Sequence, residues 1–164
     1  GGNAETLGFL VGAAGMGAVS GTLLLASRKN VRGLTRFIVV AALVAGCALI
    51  GLSWSRLLLL SLALMAAIGF SILVISVSTN MILQTIVEDD KRGRVMSLYT
   101  AAFLGVVPLG GLLAGMLADR IGATNTVLVG GVICALATIY MARQLPLLHQ
   151  HMRPIYARLG ISPD

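Results

Sequence analysis

Three polar side chains stand four residues apart in an otherwise apolar run, and they are the sequence's main candidates for ligand chemistry. Ser76, Asn80 and Gln84 lie in the segment SVSTNMILQTIV. A spacing of four places them on one slowly drifting stripe of an α-helix, which Gly69 and Ser61 roughly continue. A primary amide without partners is costly in hydrocarbon, so the stripe faces protein or water. Two interpretations stay open: a water-filled cavity lined by these groups, or hydrogen bonds that hold helices together.

A second candidate is the charged segment EDDKRGR, residues 88–94, which places six charged side chains around one glycine. Its three acids suit the start of a helix, where the positive end of the helix dipole favours negative charge. Lys91, Arg92 and Arg94 are suited to anionic lipid headgroups, and Gly93 permits a tight backbone. Membrane topology is one sufficient explanation of this cluster.

The elements that position these residues must be membrane spans. The chain of 164 residues is 57% hydrophobic and 11% charged, with a mean hydropathy of +0.95. Uncharged stretches of about 18 residues or more can cross a bilayer as helices. The sequence therefore predicts an all-α integral membrane protein, with a transmembrane unit over residues 1–143 and a cytoplasmic tail over 144–164. The five predicted spans cover residues 7–26, 37–55, 57–87, 97–118 and 124–142.

The basic residues indicate the orientation. Placing the connections on alternate sides puts ten Lys and Arg residues on one side and only Arg56 and Arg120 on the other. This asymmetry predicts an amino-terminal end outside and a carboxyl-terminal end in the cytoplasm. The net charge of +6 then has a membrane explanation, and a nucleic-acid partner is not expected.

Small residues indicate where helices approach one another. Gly17 and Gly21 belong to the glycine-rich first span, and Gly111 and Gly115 belong to the fourth, which also contains Pro108. Close helix packing is the predicted role of these five residues. The second and fifth spans are apolar nearly all round, which is typical of helices that face lipid.

Residues for catalysis or metal binding are not evident. No Asp, Glu, Lys, Arg or His falls inside any predicted span, and no nucleophile–base pair is found near one. His149 and His151 in the tail are too few for a metal site. Cys47 and Cys134 lie within spans and are expected to act as small apolar residues. We expect no enzyme activity, no metal and no cofactor.

The segment NMILQTIVEDDKRGRVMSLYTAAFLGVVPLGGLLAGMLADRIGA resembles the carboxyl-terminal half of major facilitator superfamily transporters. The similarity is to the branch containing the enterobactin exporter and macrolide-efflux-type proteins, and RGRVMSLY is its most specific part. It implies a fold of twelve spans in two halves, with the five spans here matching the eighth to the twelfth. The tenth would line the central cavity, the eighth and eleventh would pack between halves, and the ninth and twelfth would face lipid.

The resemblance also implies roles for particular residues. Arg92, Gly93 and Arg94 match the basic cytoplasmic connection before the eleventh span. Gly21, Arg28, Lys29, Arg32 and Gly33 are similar to a second copy of the family's cytoplasmic signature that lacks its acidic residue. Beside the role in topology, a functional hypothesis is that Arg92 and Arg94 pair with acids on neighbouring cytoplasmic loops when the pore is closed inward and release them when it opens. Arg28 and Arg32 are assigned to the cytoplasmic gate or to topology.

Two further expectations concern Tyr99 and the end of the fourth span. Tyr99 is a further cavity candidate near the inner membrane surface. Residues 115–122, GMLADRIG, resemble the family signature by letters but fall on the outer side, so Asp119 and Arg120 are expected in a short solvated turn.

The predicted function is the carboxyl-terminal portion of a secondary active transporter in the bacterial inner membrane. It would export a small molecule, a siderophore or hydrophobic drug, by alternating access. Its partners would be the lipid bilayer, the substrate and an amino-terminal half that is missing here, since the sequence reads as a fragment. The alternative is a five-span scaffold or accessory protein without transport activity. A membrane-embedded enzyme lacks candidate residues.

Overall fold

Five long helices make up the protein. The computed structural model describes residues 4–27 and 33–158, and side chains as far as residue 144. The helices are α1 (Ala4–Ala26), α2 (Leu34–Trp54), α3 (Leu58–Ile86), α4 (Asp89–Ile121) and α5 (Ala123–Arg158). The described residues contain no strand, which confirms the all-α prediction. Arg28, Lys29 and Arg32 lie outside the described residues, and so do the side chains of His149 and His151.

All five helices have the length and apolar composition of membrane spans. The shortest, α2 with 21 residues, is about 30 Å long, which matches the hydrocarbon core of a bilayer. In α5 the membrane-length part is Ala123–Gln144, and the same helix continues to Arg158.

Four of the five helices, all except α3, extend beyond the predicted uncharged stretches, because charged side chains are tolerated at helix ends outside the hydrocarbon. The two largest differences are at α5, which continues to Arg158 rather than ending at residue 142, and at α4, which begins at Asp89 rather than at residue 97. Glu88 is its N-cap residue, and Asp89 and Asp90 occupy its first turn, where acids complement the helix dipole.

The predicted turn at Asp119 and Arg120 is wrong. Both side chains are exposed, but both residues belong to the last turn of α4. The chain reverses at Gly122, which has φ 85°, a backbone conformation that side chains disfavour. The Gly122 N–H donates to the Ala118 carbonyl at 2.9 Å and closes the helix.

The closest helix contact joins α1 and α3. A Cβ atom built on Gly17 would lie 1.9 Å from the Ala66 carbonyl oxygen, and one built on Gly69 would lie 2.0 Å from the Ala14 carbonyl oxygen. The two backbones therefore touch reciprocally, each using a glycine against the other. Gly21 lies along the same contact, facing Phe70.

A second glycine contact joins α2 and α5. A Cβ on Gly46 would lie 3.0 Å from the Ala135 nitrogen, and one on Gly131 would lie 2.9 Å from the Ile50 nitrogen. Nearby, the Cys134 thiol donates a hydrogen bond to the Ala42 carbonyl oxygen, with a sulfur–oxygen distance of 3.7 Å. Both helices that were expected to face lipid thus bury one side against each other.

The apolar core lies between α1, α2 and α3. Leu25, Ala41 and Val74 contribute one residue from each helix and are buried, with Phe37 and Phe70 packed around them. In contrast, α4 contains no buried residue and its packing is mainly against α5. The fourth helix is therefore the most open element of the described bundle.

Candidate functional site

The predicted polar stripe lies on the carboxyl-terminal half of α3. Ser76 and Asn80 are half-buried and Gln84 is exposed. The Gln84 amide Nε2 donates a hydrogen bond to the Asn80 Oδ1. This bond spans one helical turn, as the spacing of four residues requires. The two amides therefore form one connected polar unit rather than two isolated groups.

The stripe lies on the side of α3 away from the core. Ser71, Val74 and Ser78 form the buried side of the helix, and Val74 contacts the core residues of α1 and α2. Asn80 follows Ser78 by two positions, a rotation of about 200° around the helix axis. The amides are therefore presented outward from the three-helix core.

The amino-terminal part of the predicted stripe, Ser61 and Gly69, is not an open polar face. Gly69 does not continue an open polar face, because it is buried against the α1 backbone at the closest helix crossing. Ser61 is half-buried and shares a hydrogen bond of 3.0 Å with Ser55 in the α2–α3 connection. The open part of the stripe is thus limited to its carboxyl-terminal half.

Ser78 is a buried polar residue that sequence reasoning missed. Ser78 is fully buried, and its Oγ has no hydrogen-bond partner among the described residues. Ser71 is equally buried but donates to the Ala67 carbonyl at 2.8 Å. The available signal was the position of Ser78 two residues from Asn80, which places it on the opposite, core side of the helix.

Tyr99 lies on α4 and is half-buried. Its ring stacks on Phe103 with a centroid separation of 6.1 Å. No hydrogen bond joins Tyr99 to the amide stripe within the part of the chain that the structure describes. Its assignment to a cavity therefore stays a prediction.

The charged segment, residues 88–94, lies at the start of α4, and two of its acids pair with two of its bases. Lys91 Nζ lies 2.6 Å from Glu88 Oε2, and Arg92 Nη1 lies 2.7 Å from Asp89 Oδ1. The hydrogen bond and positive charge of Lys91 lower the pKa of Glu88 below its ordinary value. Lys91 and Arg92 are therefore each in an ion pair with an acid three residues earlier in the chain.

Arg94 differs from the two bases before it. Its side chain is exposed and makes no ion pair within 4.0 Å with any residue that the structure describes. Gly93 beside it is helical and has open space around the position of a Cβ. Arg94 is thus the base of this segment that remains available for another partner.

The residues predicted for helix packing divide into two groups. Gly17 and Gly21 lie at the α1–α3 contact, whereas Gly111 and Gly115 have nothing within 4 Å of a Cβ position. Pro108 is exposed and lies inside α4, a helix that contains no buried residue. The contact that these α4 residues would make is therefore not formed within the described bundle.

A catalytic or metal centre is not apparent in the described residues. No group of three or more His, Cys, Asp or Glu side chains is close enough to hold a metal ion there. Cys47 and Cys134 are both free thiols. The polar stripe and the charged segment remain the candidate ligand contacts.

Five helices of membrane-spanning length, four of them packed in pairs through glycines, define a multi-pass helical membrane protein. Comparison with known families then assigns it: the chain belongs to the transmembrane secretion effector family of the major facilitator superfamily, whose family model matches residues 1–156. No curated protein and no solved structure matches the chain. The family match confirms the superfamily of transporters that the sequence resembles.

Proposed function

We propose that this chain is the carboxyl-terminal portion of a secondary active exporter and that it supplies one wall of the substrate pathway. Its five helices would correspond to the eighth to twelfth spans of a twelve-span carrier in the bacterial inner membrane. The cargo would be a small molecule such as a siderophore or hydrophobic drug. Transport would follow from rocking of two helical halves around a midplane site.

The observation that carries this proposal is the outward Asn80–Gln84 unit on α3. Two amides on the lipid side of a membrane helix would lose hydrogen bonds to water without replacement, at a cost of several kcal/mol. The described bundle does not cover these groups, since Asn80 is only half-buried and Gln84 is exposed. An aqueous pathway shared with another helical bundle would hydrate them.

The openness of α4 supports a second bundle. A helix of 33 residues with no buried residue leaves its Gly111 and Gly115 positions accessible to another helix. In the proposed carrier these positions would pack against the amino-terminal half. A self-contained scaffold, the alternative function, would leave both this surface and the amide stripe toward lipid.

Arg94 has a proposed role in gating. Because Lys91 and Arg92 pair with acids of their own segment, Arg94 is the base best placed to exchange partners between states. An ion pair formed only in one state shifts the balance between states by its differential energy, about 1 to 3 kcal/mol for typical couplings. The amino-terminal end would be outside and this segment cytoplasmic, as the distribution of basic residues favours.

Cysteine accessibility in the intact carrier tests the proposal. Single-cysteine variants N80C and Q84C, in a background without Cys47 and Cys134, are treated with a membrane-impermeant, charged thiol reagent. We expect both to react in at least one transport state, because they would face water. S78C is the matched control, since Ser78 is fully buried on the opposite side of α3 and should stay unreactive.

The contradicting result is equally specific. If positions 80 and 84 are as unreactive as position 78 in every state, the stripe does not face an aqueous pathway. The proposal then fails, and interhelical hydrogen bonding becomes the explanation for the amides.

A further inference from the structure

The Asn80–Gln84 unit has a defined hydrogen-bonding pattern. The bond from Gln84 Nε2 to Asn80 Oδ1 uses one donor and one acceptor of the pair. The Asn80 Nδ2 keeps its two N–H donors, and the Gln84 Oε1 keeps its acceptor capacity. A neighbouring donor and acceptor are thus available one helical turn apart.

No charged side chain lies on the helix that carries this unit, α3 from Leu58 to Ile86. The nearest acids along the chain, Glu88 and Asp89, are held by Lys91 and Arg92 at 2.6 and 2.7 Å. Asn80 and Gln84 can therefore offer hydrogen bonds to a ligand, but neither Glu88 nor Asp89 provides a free carboxylate to balance the charge of a cation.

This absence limits the ligands that the stripe can hold. An organic cation leaving water for a low-dielectric site pays a large desolvation cost unless an opposite charge compensates it. A neutral molecule avoids that cost, and its polar groups need only hydrogen-bond partners. Amides, carbamates and hydroxy-carbonyl groups offer a donor and an acceptor together, which complements the free groups of the pair.

Building on the proposed function, we propose that Asn80 and Gln84 form an uncharged recognition element that selects neutral substrates carrying amide-type donor and acceptor groups. Asn80 contacts the substrate through Nδ2, and Gln84 contacts it through Oε1. Gln84 is also a positioning residue, because its Nε2 holds the Asn80 side chain by the Oδ1 bond. The two residues therefore act as a unit.

The experiment measures efflux by the intact carrier with two probes. Chloramphenicol is neutral and contains an amide, whereas tetraphenylphosphonium is a lipophilic cation. Transport is compared in an efflux-deficient host and in inverted membrane vesicles. The wild-type carrier should export chloramphenicol in preference to tetraphenylphosphonium.

The key variant is N80D, which keeps the shape of the side chain and adds a negative charge. It should raise KM for chloramphenicol by roughly tenfold, the equivalent of one net hydrogen bond, and should gain tetraphenylphosphonium efflux. N125D is the matched control, because Asn125 is exposed near the start of α5 and donates to the Ile121 carbonyl. It should retain wild-type preference.

Two neutral variants keep the test independent of any folding defect in N80D. N80S and Q84L should each raise KM for chloramphenicol with the amount of carrier in the membrane unchanged. The double variant should cost little more than either single variant, because the two side chains act as one unit.

The inference is overturned if N80D and N80S keep the wild-type KM and preference, or if the wild-type carrier moves both probes equally well. These results leave the proposed function intact when cysteines at positions 80 and 84 still react from water. Unreactive cysteines overturn both proposals, so the two failures can be distinguished.

Discussion

The reciprocal glycine contact between α1 and α3 gives the sharpest prediction about stability. Replacing Gly17 with Ala places a methyl group 1.9 Å from the Ala66 carbonyl oxygen. Real Cβ atoms essentially never approach closer than 3.0 Å, so the backbones would have to separate by about 1.1 Å. Because backbone atoms form the obstruction, no side-chain rotation can relieve it.

The expected destabilisation follows from the size of this displacement. Overpacking of a close contact costs about 1–3 kcal/mol, and the short distance here places G17A toward the upper end. The same displacement would also accommodate a methyl group on Gly69, whose Cβ would meet the Ala14 carbonyl oxygen at 2.0 Å. The double variant G17A/G69A should therefore be less destabilised than the sum of the two single variants.

Unfolding of the purified protein in mixed micelles, titrated with sodium dodecyl sulfate and followed by circular dichroism, measures the change. G12A is the matched control on the same helix, because Gly12 is exposed and has nothing within 4 Å of its Cβ position. It should be neutral or more stable, since Ala is the better helix former. Equal stabilities of G17A and G12A would refute the close contact.

Three other predictions concern different parts of the molecule. In α5, G131A should destabilise the α2–α5 contact while G130A, with open space at its Cβ position, should not, as thermal unfolding of the two variants would show. The Glu88–Lys91 pair should contribute fully to the stability of the folded protein above pH 4.5, the ordinary pKa of Glu88. This stabilisation should be lost as the pH falls through the lowered pKa of Glu88 in the folded protein. K91Q should raise that pKa, measurable by infrared titration of the carboxylate; no change would contradict the pairing. R94A should reduce transport by the intact carrier at unchanged expression, whereas K91Q should not; full activity of R94A would count against the gate.

Much of the fold could be predicted from the sequence because membrane spans follow from composition. An uncharged stretch of sufficient length must form its backbone hydrogen bonds internally, so each of the five apolar stretches became a helix. The helix ends were less predictable. Charge marks where hydrocarbon stops, but a helix can continue into water, as α4 does through Asp89 and Asp90.

The sequence predicted which residues of the candidate site share a helix face, but it did not predict which of them a neighbouring helix covers. A spacing of four predicted that Asn80 and Gln84 would share a face, and the structure joins them by a hydrogen bond. The same periodicity placed Gly69 on that face, yet the crossing of α1 covers Gly69 and leaves the amides open. Periodicity describes one helix, whereas the angle and position of a neighbouring helix decide which part of a face is covered.

The sequence by itself determined that this chain inserts in a membrane as five helices, and it placed the amides and charges along them. Only the tertiary structure decided which glycines are contacts. Gly17 and Gly111 both lie in glycine-rich spans, but one touches a carbonyl of α3 and the other faces open space. A glycine permits close approach without specifying a partner, because the partner is selected by packing of whole helices rather than by local sequence.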